Sequence, residues 1–362
     1  MNKKKYKILK NTVMFFSVVV CIWALVEKMN SVSEDEKVNA LLYVSGIFSK
    51  RGESEEKPKA KQVAKKEEKD VNVMPFLERD EIVPFHQDEL PKINATPNPN
   101  RPSMPVEEIM AEGGTRYDNF FVKDTTASGT DLWQELGETP AVELKANGEI
   151  EVLLYHTHTT ESYTDQFMGY YYTDMETRSR NFDDGVVAVG KEIKKELEKK
   201  GIGVVHDTAI NDTMFNGSYS RSWEVLQRNL AEHPGIQVTI DIHRDSMTRE
   251  NGVKYKPTAL INGRKAAQVM ILAGCDANGD WGDFPNWRDN LRLALRAQQK
   301  LSAVYPQIVR PMNFSNSKYN MNATKGSMLI EVGTEVSTIS EAKYSGSLVG
   351  EALGELFAEG WG

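Results

Sequence analysis

From about residue 119 to its carboxyl end the chain alternates short apolar runs with stretches of helical period, which confines it to an α/β architecture. Apolar runs fall at 150–154, 203–207, 236–243, 268–273 and 329–332, the first bounded upstream by Asn147-Gly148. Helical stretches lie between and after them. Residues 184–200 put Val187, Ile193 and Leu197 on one face and stop at Gly201. Residues 220–232 are closed by Pro234-Gly235, residues 285–303 by Pro306, and 340–359 form a terminal helix. Strands separated by helices predict a mostly parallel sheet flanked by helices on both sides. In such sheets functional side chains collect beyond the carboxyl ends of the strands.

Three of those ends carry unusual chemistry. The first run leaves into Tyr155-His156-Thr157-His158-Thr159-Thr160-Glu161-Ser162-Tyr163, the third into Asp241-Ile242-His243-Arg244-Asp245, and the last ends on Glu331. A lone histidine on a strand is more often structural than a ligand. Two strand exits with imidazoles and a third with a carboxylate point instead to a metal site. Imidazole nitrogen and carboxylate oxygen suit zinc, and three protein ligands plus an open position make a catalytic zinc site. His158, Glu161 and His243 are the expected ligands. His158 lies further past the strand end than His156, which stands as the alternative ligand or as a residue orienting one. Glu331 is the candidate general base. Asp241 alternates with His243 and is placed to support it. Arg244 and Arg249 are candidates for binding an anionic group, while Trp281, Trp287 and the tyrosines at 170–172 are candidates for lining a groove. His206 and His233 lack acidic companions and read as structural.

Composition narrows the setting. A net charge of −8 argues against a general nucleic-acid binder. The two cysteines, Cys21 and Cys275, are too few and too far apart for a disulfide framework or a cysteine zinc cluster. Lys3, Lys4, Lys5, Lys7 and Lys10 precede an apolar run at 12–26, which is shorter than the roughly 20 residues a spanning helix usually needs. Lys10 and Glu27 can snorkel, so residues 1–30 read as a cytoplasmic tip and an uncleaved signal anchor, with a cleaved signal peptide as the alternative. Either way the remainder is exported. Residues 31–112 read as a charged, Pro-rich tether, with alternating Lys and Glu at 49–70 and Pro97-Asn98-Pro99-Asn100-Arg101-Pro102 as a stiff linker. Residues 113–362 are then the catalytic domain.

The three motifs taken together, in this order, resemble the stage II sporulation protein P family, over roughly residues 115–362. That family is a distant relative of the zinc N-acetylmuramoyl-L-alanine amidases. The resemblance implies a membrane-anchored peptidoglycan hydrolase that cleaves the amide between N-acetylmuramic acid and the first stem-peptide alanine, with an endopeptidase activity on cross-linked stems. It implies action in engulfment during sporulation, in the intermembrane space of the sporangium, beside stage II sporulation proteins D and M. Against the wider amidases, His158 and His243 match the two metal histidines and Glu331 the catalytic glutamate. Their glutamate ligand usually lies near the start of a helix, where this chain has Asn181-Phe182-Asp183-Asp184, so Glu161 is assigned by proximity. Glu335 stands where the amidases often carry an asparagine. The competing readings are a non-catalytic membrane scaffold and a metallocarboxypeptidase-like peptidase.

Overall fold

The computed structural model describes residues 81–84 and 96–361. The expected anchor at 1–30 and most of the expected tether lie outside the described residues. No helix among the described residues is long and apolar enough to cross a membrane.

The elements follow in chain order. First come β1 (Glu81–Pro84), β2 (Ser103–Glu112), β3 (Thr115–Tyr117), β4 (Phe120–Asp124), α1 (Leu132–Gly137), β5 (Ile150–Tyr155) and β6 (Tyr170–Tyr172). Then come α2 (Val186–Lys199), β7 (Gly203–His206), α3 (Ser218–Glu232), β8 (Val238–Asp245), β9 (Lys254–Ile261) and β10 (Arg264–Ala267). The chain closes with β11 (Val269–Gly274), α4 (Trp287–Val304), β12 (Met312–Ser315), β13 (Gly326–Thr334) and α5 (Ile339–Glu359).

An eight-stranded sheet runs in the order β3-β4-β12-β11-β13-β8-β5-β7, and a second sheet runs β1-β2-β9-β10 with β6 on the free part of β2. Both sheets are mixed, which corrects the expectation of a mostly parallel sheet. β11 is antiparallel to β13, β3 to β4, and β9 to β10. The cause is local in the last case. Asn262 and Gly263 take φ of 51° and 73°, the two-residue turn that folds a chain straight back on itself. What remains parallel is the part that matters for the site: β13, β8 and β5 are adjacent and run the same way, so their carboxyl ends adjoin.

The tether reading also ends too late. Ser103–Glu112 is a ten-residue strand with Val106, Ile109 and Ala111 buried, parallel to β9. Its buried positions are interrupted by glutamates, and the linker-like prolines just before it obscured the pattern.

The two faces of the large sheet are covered differently. Val152, Leu154, Ile240 and Ile242 point into the main core with Val189 and Ile193 of α2, Leu301 of α4 and Val349 of α5. Leu153 and Tyr155 point the other way, against Leu226 of α3. Helix α5 starts on a capping box, Thr338 with Glu341, which satisfies its first free N–H groups. It packs closely on α2 through Gly346 and Gly350, where an added Cβ would meet Val189 O at 2.9 Å and Ile193 O at 2.8 Å.

Candidate active site

Asp241 on β8 pairs with Tyr155 on β5, and His243 pairs with Glu331 on β13. Side chains in register on adjacent strands share a face, and alternate residues of one strand do too. Asp241, His243 and Glu331 therefore project from the face that carries α3, on two parallel neighbours, β8 and β13, next to the exit of β5.

The turn after β5 is polar in sequence yet buried throughout 156–162. Buried polar groups need partners, and here they have them. Asp241 accepts from Thr157 N at 2.8 Å and Thr157 Oγ1 at 2.6 Å. Thr159 Oγ1 donates to Ala209 O at 2.7 Å, and Asn211 Nδ2 donates to His156 O at 2.9 Å. Thr160 donates from N and Oγ1 to Asp212, which also takes an ion pair from Arg178. The turn is thus held by the strand on one side and by residues 209–212 on the other. Neither Asn211 nor Asp212 stands out in the sequence, because both sit in a loop far from any motif.

His156 is fully buried with both ring nitrogens engaged. Its Nδ1 is 2.9 Å from Ile242 O and its Nε2 is 2.8 Å from His206 Nε2. A carbonyl only accepts, so the His156 proton sits on Nδ1, and its Nε2 accepts the Nε2–H of His206. Burial keeps both rings neutral, pushing His156 down to about 4 and His206, with His156 beside it, to about 2. The pair needs Gly190 beneath it: a Cβ there would stand 2.6 Å from His206 Nε2. The sequence reading missed this role for His206, for which spacing gives no signal.

His158 and His243 stand edge to face with ring centroids 5.3 Å apart. His158 Nδ1 is buried and has no hydrogen-bond partner. Burial, reinforced by His243, holds the His158 ring below the ordinary histidine range. His243 Nδ1 is 3.5 Å from Glu161 Oε2, and its Nε2 is 2.9 Å from Asp241 Oδ1 without the alignment of a hydrogen bond. Burial opposes a charge on His243, but Asp241 and Glu161 together outweigh it and raise the ring well above its usual value. For Glu161, burial alone would raise the carboxyl. His243, Arg244 and His158 outweigh burial and bring it to about 2. Glu161 Oε2 also accepts the backbone N–H of Arg244 at 3.2 Å.

Glu331 behaves oppositely. Its Oε2 is buried without a partner, and burial raises the carboxyl to about 8, with Asp245 and Glu161 adding to the rise and His243 and Arg310 opposing it. The cluster therefore holds two glutamates with acidities far apart, one firmly ionised and one poised near neutrality. Environments of that kind separate a ligand from a proton carrier.

The other predicted residues are more distant from this role. Arg244 is buried and donates to Thr177 O at 2.6 Å, with Glu335 Oε2 at 3.7 Å. Glu335 is buried too, paired with Lys254 and accepting from Ser246 Oγ at 3.0 Å. Arg249 lies over the Tyr255 ring and 3.6 Å from Glu107. Trp287 is core, stacked near Phe314, whereas Trp281 is exposed under Lys318. Tyr170 and Tyr172 belong to β6 on the second sheet.

The donor set of His158, His243 and Glu161 has the chemistry for zinc, and the orphaned Nδ1 of His158 is an atom a metal would satisfy. Among the described residues no three His, Cys, Asp or Glu side chains already stand grouped as a cage. The residues fit the ion by donor type and by the unsatisfied Nδ1 of His158.

The sequence profile of the stage II sporulation protein P family matches residues 5–354. The stage II sporulation protein P of Bacillus subtilis (strain 168) is 28% identical over 219 residues, 57% of this chain and 51% of that relative. The chain thus spans about half the length of the relative it matches. Among solved structures, the N-acetylmuramoyl-L-alanine amidase AmiC2 of Nostoc punctiforme has 14% identity and a TM-score of 0.35, covering 59% of this chain and 97% of that one. The CwlD amidase from Clostridioides difficile, in complex with the GerS lipoprotein, has 11% identity and a TM-score of 0.37, covering 58% and 98%.

Proposed function

This chain belongs to the stage II sporulation protein P family, and from that premise we propose that it is a zinc-dependent cell-wall hydrolase of sporulation, cleaving the amide between N-acetylmuramic acid and the first stem-peptide alanine. One observation carries the reading. His158, Glu161, His243 and Glu331 meet at adjoining strand exits, and His158 Nδ1 and Glu331 Oε2 are buried there without partners. Unpaired buried polar atoms cost stability, so their retention at one place favours a functional use.

His158, His243 and Glu161 are the residues that would hold the ion. When bound, zinc polarises the amide carbonyl and makes water more acidic. Glu331 takes the proton from the attacking water and returns it to the leaving nitrogen, so that amide and water become a lactyl carboxylate and a free alanine amine. A carboxyl near neutrality serves both transfers. Asp241 fixes Thr157 and flanks His243, and the His206–His156–Ile242 O chain ties the β5 exit to β8 beside His243. Residues 1–30 anchor the protein, with the hydrolase outside the cytoplasm and stage II sporulation proteins D and M as companions.

The test uses the full chain in detergent with purified peptidoglycan and zinc, reading the products by mass spectrometry. Free stem peptides that disappear on chelation and in Glu331→Gln are expected. Intact muropeptides from a folded, zinc-loaded protein would contradict the reading.

A further inference from the structure

Beside His158 lies a surface the catalytic reading does not use. Phe215 stacks flat on the His158 imidazole, with centroids 5.0 Å apart and planes within 3°, yet 61% of the residue is exposed. Next to it Met214 is 69% exposed. Tyr219 meets His158 edge to face at 5.8 Å, and Tyr319 lies 5.3 Å from Tyr219 with 39% exposure. Large apolar side chains grouped in solvent at the edge of a site mark a binding surface more often than chance.

The surface is built. The Arg221 guanidinium lies behind the loop and donates to Asn211 O at 2.5 Å, to Asn216 O at 3.3 Å and to Met214 O, which fixes the loop while its side chains point outward. Arg178, paired with the buried Asp212, sits 5.7 Å from the Phe215 ring centre. Tyr319 and Asn320 both take left-handed backbone, φ 41° and 58°, rare for a bulky residue. Asn320 holds that geometry by donating to Tyr219 O at 2.9 Å and Ser222 Oγ at 3.0 Å. Strain of this kind persists where the surroundings over-determine it.

We propose that Phe215, with the exposed Met214 beside it in the chain, is the platform on which the amino-sugar ring of the glycan strand stacks. The inference rests on the hydrolase reading for its geometry. The scissile carbonyl carbon is three bonds from the sugar ring, about 4 Å, so a sugar whose lactyl amide reaches His158 lies within one ring's width of it. Phe215 stacks on His158 with the Arg178 guanidinium 5.7 Å from its ring centre, and 61% of the residue stays open to solvent beside the imidazole. The apolar C–H face of a pyranose matches a flat aromatic ring, and such contacts orient a ligand more than they grip it. The platform thereby selects amides attached to a sugar over the same amide in a bare peptide.

The experiment has two arms. In the first, peptide-free glycan strands are titrated calorimetrically onto the full chain in detergent, carrying Glu331→Gln. Binding is expected, weakened roughly tenfold by adding Phe215→Ala and kept by Phe215→Trp, which retains a flat ring. No binding, or binding that Phe215→Ala leaves unchanged, overturns the proposal. In the second arm, an N-acetylmuramoyl-peptide and the matching lactoyl-peptide are compared as substrates. Phe215→Ala should raise KM for the first and spare the second. An equal loss of kcat on both would mean that Phe215 only supports His158, and the platform would be refuted. Glycan binding through Phe215 by a protein that cleaves neither substrate would sink the hydrolase reading and leave the platform standing.

Discussion

Replacing Glu331 by glutamine should abolish hydrolysis and make the metal-free protein more stable. The carboxyl stands at about 8 in the fold against an ordinary 4.5, with burial as the main cause. Between these values the folded chain holds a proton that the unfolded chain releases, so stability is lost as pH rises from 4.5 through 8. Each unit of displacement is worth about 1.4 kcal/mol. The cost is then a few tenths of a kcal/mol near pH 4.5, about 3 kcal/mol at pH 7 and about 5 kcal/mol above pH 8. These are upper figures, since Glu331 is only partly buried as a residue although its Oε2 is covered. Glutamine has the same shape and no proton to release. Urea unfolding of both proteins in chelator, from pH 5 to 9, reads the difference directly. Glu331→Gln should gain over the parent and the gain should widen with pH. A gain independent of pH, or a loss at pH 7, would refute the argument that burial costs this carboxylate its charge.

Other sites give separable outcomes. Asp241→Ala strands Thr157 N, takes one of two partners from Thr157 Oγ1, which keeps Ser222 Oγ, and removes a charge beside His243, so it should cost about 3 kcal/mol in urea unfolding. His206→Leu should remove part of the acid sensitivity. His206 sits near 2 in the fold against 6.5 ordinarily, so the unfolded chain takes up its proton first and stability falls as pH drops below 6.5. Between pH 6.5 and 4 the parent should lose about 1.4 kcal/mol more per pH unit than the variant, and parallel curves would count against the buried neutral pair. Lys256 is fully buried between Glu108 and Glu341. Lys256→Met leaves Glu341 buried without its cation, while Glu108 keeps Lys265 at 2.8 Å, and should lower stability by about 3 kcal/mol, read by thermal or urea melting.

Much of this arrangement is legible in the sequence because it rests on local patterns. Apolar runs mark β5, β8, β11 and β13, and α2 to α5 begin and end within a few residues of their caps and stops. That three of those strands end on His or Glu is visible directly. Whether they adjoin is not, since strand order follows from long-range pairing. The second sheet escaped for physical reasons. β9 contains Lys256 at full burial, which breaks the apolar pattern of a strand, and its turn at Asn262-Gly263 is the only strong local sign of the hairpin. The histidines show the limit most clearly. His156 and His158 are equivalent in composition and spacing, yet one has both ring nitrogens engaged and the other has Nδ1 free, a difference set by Ile242 and by His206, 50 residues away.

The central claim is that water is added at the lactyl amide. Digesting peptidoglycan with the full chain in water enriched in oxygen-18 tests it in one step. The label should appear in the lactyl carboxylate of the muramic acid, and the released peptide should begin with unlabelled alanine. Label in a peptide carboxylate instead, with the lactyl amide intact, would contradict the amidase and leave a peptidase.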